Sequence, residues 1–343
     1  MWLYLVCFIV FPLVILIQIK KEPCITAPEW LSKDRTDAIR GVAILLVVLH
    51  HVTAIVINDL PYTMPFVQMG FASVSLFFLM LGYAHMASYG SKELDYKFLW
   101  KKFKRMLIPY FLIWIIYFVT CFIRSKQVNP SNCLADALHL AYPGTPCWYF
   151  KVQLLLYVIF FAVFGIIMKK ASPKKKAIVA TVCILIYMAV AYYAGLQAYW
   201  YLTVIFFSFG LILGIYSKQV FSILKRYAIL LLLLALLMFI VIQAGVFFIG
   251  FKGFYYPIQI LLCILLNIIC ISAIAKFRFG SVVLKFMANI SLELYLIHGV
   301  MLSSDAFPVW NFAEGFDIFV YLFIAIILSW IIHMISNKIN TYI

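Results

Sequence analysis

The sequence predicts an all-α fold, a polytopic membrane bundle of about eleven transmembrane helices, and three observations predict it. Hydrophobic residues make up 66% of the 343 and charged residues only 11%, with a mean hydropathy of +1.07, far from the averages of soluble domains. Uninterrupted apolar runs reach the length of a membrane helix, as in 227–248, whereas the strands of a membrane β-barrel alternate over about ten residues. Lys and Arg gather in short clusters between those runs, as they do in cytoplasmic loops. That clustering accounts for the formal charge of +15 and leaves no footing for a nucleic-acid partner.

The run 1–19 lacks a positive segment ahead of it and carries Lys20 and Lys21 on the wrong flank for a signal peptide, so a retained helix is predicted there. A polar connector with Pro23 and Pro28 follows. Apolar runs then place helices at 41–57, 66–87, 106–123, 148–168, 177–194, 199–216, 227–249, 254–275, 284–302 and 316–335. Threading alternate loops inside puts 23 of the 27 Lys and Arg on the inner surface, leaving only Arg124, Lys126, Lys151 and Lys252 outside. So strong a bias predicts an N-terminus outside and a C-terminus in the cytoplasm. No connector is long enough to bury a soluble core. The predicted organisation is an N-terminal helix with its cytoplasmic connector over 1–34 and a membrane domain over 35–343.

Eight cysteines show neither CxxC nor His/Cys spacing, so no metal is expected. Cys7, Cys121, Cys183, Cys263 and Cys270 fall in or beside apolar helices and read as packing residues. Cys133 and Cys147 share a polar loop expected outside, where either a disulfide or two free thiols is compatible with the sequence.

Four stretches carry polar groups where chemistry can happen. The first, RTDAIRGVAILLVVLHH from Arg35 to His51, sets two histidines inside a predicted membrane helix, where an imidazole is a functional candidate by default. Eleven residues separate Arg40 from His51, roughly 16 Å and close to three turns, so both share one face and His51 reaches mid-depth. Arg40 as a headgroup anchor and His51 as a helix-to-helix hydrogen bonder are the competing readings. Geometry leaves the choice between His50 and His51 open, since they point about 100° apart. The second stretch, KKFKRMLIPY at Lys101 to Tyr110, puts Lys102 and Arg105 on one helical face, suited to phosphates or to anionic lipid headgroups. The third, PCWYFKVQLLLY at Pro146 to Tyr157, opens with Trp148 and Tyr149, which also suit an aromatic belt, and carries Gln153 just inside. In the fourth, NISLELYLIH at Asn289 to His298, Glu293 stands among apolar neighbours one turn from Asn289, and His298 nears the outer end.

Together these stretches resemble the acyltransferase-3 family of integral membrane acyltransferases. DAIRGVAILLVVLHH is similar to that family's first core helix, and the match aligns His51 with the family's essential histidine. SVSLFFLMLGY resembles its Phe-Phe-x-x-x-Gly helix, KFKRMLIPY its Arg-x-x-Arg element followed by proline, WYFKVQLLLY its Trp-led helix, and ISLELYLIH its closing Ser-x-x-x-Tyr-Leu-x-His signature. The resemblance implies a ten-helix core preceded by one extra helix, in a bacterial inner or cytoplasmic membrane. It implies O-acetylation of the cell envelope, with transfer of an acetyl or other acyl group from cytoplasmic acyl-CoA to a hydroxyl of a polysaccharide, glycan or lipid-linked sugar facing outward. His51 and Glu293 would be catalytic; Arg40, Lys102 and Arg105 would bind the acyl-CoA; Trp148, Tyr157 and His298 would bind the acceptor. His51 would act as general base or carry the acyl group briefly.

This sequence departs from the family pattern in three places. Lys102 replaces the first arginine of the basic pair and loses its planar fork. Gln153 stands where glutamate is usual, and no hydrolase-like domain is appended. The runner-up reading is a transporter or flippase of a lipid-linked sugar, in which the same polar groups line a pathway. The sequence is silent on the acceptor and on the oligomeric state.

Overall fold

In a computed structural model the described residues are 2–21, 26, 29–90, 92–124, 136–138, 148–250, 253–303 and 306–342. Cys133 and Cys147 lie outside them. In chain order the elements are α1 (Trp2–Leu16), β1 (Ile19–Lys21), α2 (Lys33–Ile55), α3 (Pro61–Tyr89), α4 (Tyr96–Ile123), α5 (Trp148–Ile167) and α6 (Pro173–Tyr193). Then follow α7 (Ala198–Ile215), α8 (Ser217–Ile249), α9 (Tyr255–Ile274), β2 (Phe277–Phe279), α10 (Val282–Asn289), α11 (Ser291–Met301) and α12 (Asp317–Tyr342). The protein is an all-α, multi-pass membrane bundle: among the described residues nine helices are long and apolar enough to cross a bilayer, and α10 with α11 makes up to ten.

Local chemistry explains where the helices begin and end. Pro61 and Pro173 open α3 and α6, where the missing N–H costs nothing. The Asp95 carboxylate accepts from the Phe98 amide, 3.3 Å, at the start of α4. Gly195 and Gly250, with φ of +72° and +74°, stop α6 and α8.

Two predicted helices come out differently. The run 1–19 stays helical only to Leu16; Ile17 is extended, Gln18 takes a φ of +61°, and the chain enters β1. β1 pairs antiparallel with β2, Lys20 opposite Arg278, in a two-stranded ribbon that apolar periodicity does not announce. The stretch 284–302 is two helices broken at Ile290, flanked by Asn289 and Ser291, whose side chains compete for backbone hydrogen bonds.

The chain divides into two compact units. One comprises residues 1–6, 95–158 and 289–343, and in it α11 packs against α12 and α4. Tyr110 of α4 stacks on Phe150 of α5, centroids 4.9 Å apart, and Tyr321 of α12 donates its hydroxyl to the His298 carbonyl at 3.0 Å. Trp310 Nε1 donates to the Met301 carbonyl at 2.7 Å, closing the turn after α11.

The other unit comprises residues 7–94 and 159–288, built on α2, α3, α7, α8 and α9. Helices in lipid associate by close packing and hydrogen bonding, since lipid is as apolar as leucine. The α3–α7 crossing shows both needs met. A Cβ on Gly82 would lie 2.1 Å from the Phe207 carbonyl oxygen, and one on Gly210 would lie 2.1 Å from that of Leu79. Gly214, one turn below Gly210, completes a small-residue face against Met86. Polar side chains then pin α9 to α3: Gln259 donates to Gln68 at 2.5 Å and Asn267 to Ser75 at 2.7 Å.

Candidate active site

The base of α2 is anchored by charge. Arg35, buried, donates from one guanidinium nitrogen to the carbonyls of Ile274, 2.6 Å, and Phe277, 2.9 Å, tying the helix to the end of α9 and to β2. Asp37, also buried, accepts from Lys33 at 2.6 Å and from Arg40 at 3.1 Å. Arg40 sends its other nitrogen to the Ala288 carbonyl at 2.9 Å. Asp34 holds Lys285 at 2.5 Å and Arg278 at 3.5 Å. Gly41 lets the helix sit directly on the α10 backbone, for a Cβ there would be 2.2 Å from the Leu284 carbonyl oxygen. The Asp-x-x-Arg-Gly run is therefore a docking device for α2 as well as the source of a candidate cation.

Three turns on, the two histidines have different surroundings. His50 Nδ1 is bonded to the Val67 carbonyl at 2.7 Å, and its ring lies in the space left by Gly70, where a Cβ would be 2.6 Å from the imidazole. His51 turns back on its own helix, Nδ1 donating to the Val47 carbonyl at 3.0 Å. A neutral ring with Nδ1 protonated carries its lone pair on Nε2, the form a general base needs. Helical spacing separates the two side chains, yet the rings meet edge to face with centroids 4.7 Å apart.

The other unit holds the remaining predicted site residues. The Lys102 ammonium sits over the Phe98 ring at 5.6 Å and the Tyr157 ring at 5.7 Å, and Gln153 donates to the Tyr157 hydroxyl at 2.8 Å. Arg105, one turn later, is exposed. Trp148 meets Tyr149 edge to face at 6.2 Å, Tyr149 meets Tyr295 at 5.1 Å, and Tyr295 lies 5.8 Å from the His298 ring. His298 is buried, its Nδ1 donating to the Leu294 carbonyl at 2.9 Å. Two groups result: Lys102 of α4 with Tyr157 of α5, and the aromatic run from Trp148 to His298.

Glu293 belongs to a third group. Its buried carboxylate accepts from His333 Nδ1 at 2.9 Å, and Asn337 donates to His333 Nε2 at 2.8 Å. The chain Asn337–His333–Glu293 orients the carboxylate and fixes the imidazole tautomer, with the Nδ1 proton toward the acid. Neither His333 nor Asn337 sits in a recognisable motif. The available signal is that His333 interrupts the last apolar run, and an ionisable group in such a run is a site candidate in its own right. His85 of α3 gives the same signal; it is buried, with its ring edge to face on Phe160 at 4.9 Å.

Apolar spanning helices with ionisable side chains buried along a few of them define a multi-pass membrane protein. A protein-family model described as an acyltransferase domain matches residues 34–334, and the chain belongs to the acyltransferase-3 family: it is a membrane acyltransferase. No curated protein and no solved structure matches it.

Proposed function

We propose that the protein moves an acyl group, acetyl in the simplest case, from cytoplasmic acyl-CoA to a hydroxyl of an extracytoplasmic or lipid-linked glycan of the cell envelope. The observation that carries this reading is the hydrogen bonding of His51: four residues before the end of an anchored α2, its Nδ1 is committed to a backbone carbonyl, which in the neutral ring leaves the basic lone pair on Nε2. In the reaction the hydroxyl oxygen forms a bond to the acyl carbon as the thioester C–S bond breaks. As general base, His51 takes the hydroxyl proton on Nε2 and returns it to the departing thiolate; in the covalent alternative Nε2 bonds to the acyl carbon as the thiolate leaves, and the hydroxyl oxygen then displaces Nε2, its proton going to neutralise the thiolate. Lys102 and Arg105 suit the phosphates of coenzyme A, which carry several negative charges. Arg40 is the third cation on the donor side. Glu293, held by His333, is the second catalytic group, and Trp148, Tyr157 and His298 shape the acceptor's pocket. In this reading residues 35–343 form the acyltransferase domain, with the N-terminus outside and the C-terminus in the cytoplasm.

The test is label transfer from radioactive acetyl-CoA to candidate glycans by the purified protein in lipid. Transfer that falls by about 10²–10⁴-fold in His51→Ala, with His50→Ala retaining most of it, supports the reading. Movement of a lipid-linked sugar without any acyl donor, surviving in His51→Ala, overturns it in favour of transport.

A further inference from the structure

A cavity of about 560 Å³ lies within the second unit, bounded by α1, α2, α8, α9 and the β1–β2 ribbon. Its size is that of a small-molecule site, roughly 300–1,000 Å³. The lining is apolar throughout, including Phe11 and Ile15 of α1, Val42 of α2, Leu236 of α8 and Ala273 of α9. None of the proposed catalytic or donor-binding side chains lines it. Along α2 the lining runs from Ala38 to Leu46, eight residues or about 12 Å, close to the hydrocarbon depth of one leaflet, about 15 Å.

One end is closed by the ribbon, and the ribbon is amphipathic in register. Ile19, Phe277 and Phe279 line the cavity. Lys21 is two residues on from Ile19, on the same face, opposite Phe277. Lys20 and Lys21 are both exposed, while Arg278 is engaged with Asp34 and Lys276 with the Lys225 carbonyl. A purely apolar chamber about one leaflet deep, with the exposed Lys21 on the ribbon face that lines it, matches a molecule that is hydrocarbon at one end and anionic at the other.

We propose that this cavity is a binding site for an anionic membrane phospholipid: one acyl tail fills it between α1 and α2, and the phosphate is met by Lys21. The lipid joins the short α1 to the core of the unit. The site is independent of the acyl-transfer chemistry and stands whether or not that reading does.

Native mass spectrometry of the full chain, purified in mild detergent and supplied with phosphatidylglycerol or phosphatidylcholine, tests it. The expected result is one tightly retained phosphatidylglycerol and a preference over phosphatidylcholine of about five-fold at low salt, the contribution of one lysine. Lys21→Gln, on an exposed strand, should bring that preference close to unity while Lys20→Gln, on the opposite face of the ribbon, leaves it in place, and both variants should keep the unfolding midpoint. Ala273→Trp, or the milder Val42→Phe, should expel both lipids by filling the chamber. Equal retention of the two lipids by the unaltered protein overturns the proposal. So does unchanged retention in a folded cavity-filling variant, or preferential retention of a long-chain acyl-CoA over phosphatidylglycerol.

Discussion

The α3–α7 crossing offers a stability measurement with its own internal control. Adding one methyl at Gly82 puts a carbon 2.1 Å from the Phe207 carbonyl oxygen, which belongs to backbone and cannot rotate away. The helices would have to part by roughly 1 Å or more before the overlap is relieved, and the reciprocal contact of Gly210 with the Leu79 carbonyl would open with it. Overpacking of this kind costs about 1–3 kcal/mol. The same change at Gly245 on α8 meets nothing within 4 Å. There helix propensity alone acts, and alanine should be neutral or stabilising by up to about 1 kcal/mol. Unfolding in mixed micelles, titrated with a denaturing detergent and followed by tryptophan fluorescence, compares the two. If Gly82→Ala proves no more destabilising than Gly245→Ala, close backbone approach is not what holds α3 to α7.

Other substitutions probe the anchors. Arg35→Met removes the donor from the buried Ile274 carbonyl and the part-buried Phe277 carbonyl and should cost about 3 kcal/mol, with faster hydrogen exchange across Phe277–Phe279 as the local readout. His333→Leu leaves the buried Glu293 carboxylate without its donor, a loss of about 1–3 kcal/mol; in a double-mutant cycle with Glu293→Gln the two changes should be non-additive by more than about 0.5 kcal/mol. Additive effects would mean the pair does not act as one. His50→Leu removes the bond to the Val67 carbonyl and should cost about 1 kcal/mol of stability while acyl transfer stays within about ten-fold of the unaltered protein, as steady-state rates would show.

Hydropathy sufficed for the helices because a membrane span has to satisfy its own backbone and present apolar side chains over a defined length. Each predicted run is helical over most of its length, and the resemblance carried by five short stretches agrees with a family match over 34–334. Apolar runs alone, however, do not say where a helix stops being straight or stops being helix. Gln18 turns α1 into a strand, Ile290 divides α10 from α11, and α12 runs on to Tyr342 through polar residues that hydropathy discounts.

The motifs marked residues without saying what each one touches. Arg40 reads as a cation for a donor, and its observed partners are Asp37 and the Ala288 carbonyl. The Arg-Gly pair and the Phe-Phe-x-x-x-Gly run contain glycines whose reason appears only when a second helix backbone arrives within a few ångströms.

By itself, then, the sequence determined the helical membrane class, the family and which side chains are too polar for lipid to leave without a purpose. Those are one-dimensional properties, set by length, hydropathy and spacing along a single helix. Only the tertiary structure decided that Glu293 answers to His333 forty residues later, that His50 faces Val67 while His51 folds back on Val47, and that a ribbon closes an apolar chamber beside α2. Each of these depends on which faces of distant segments meet, and a bilayer gives every apolar face the same reward wherever it turns.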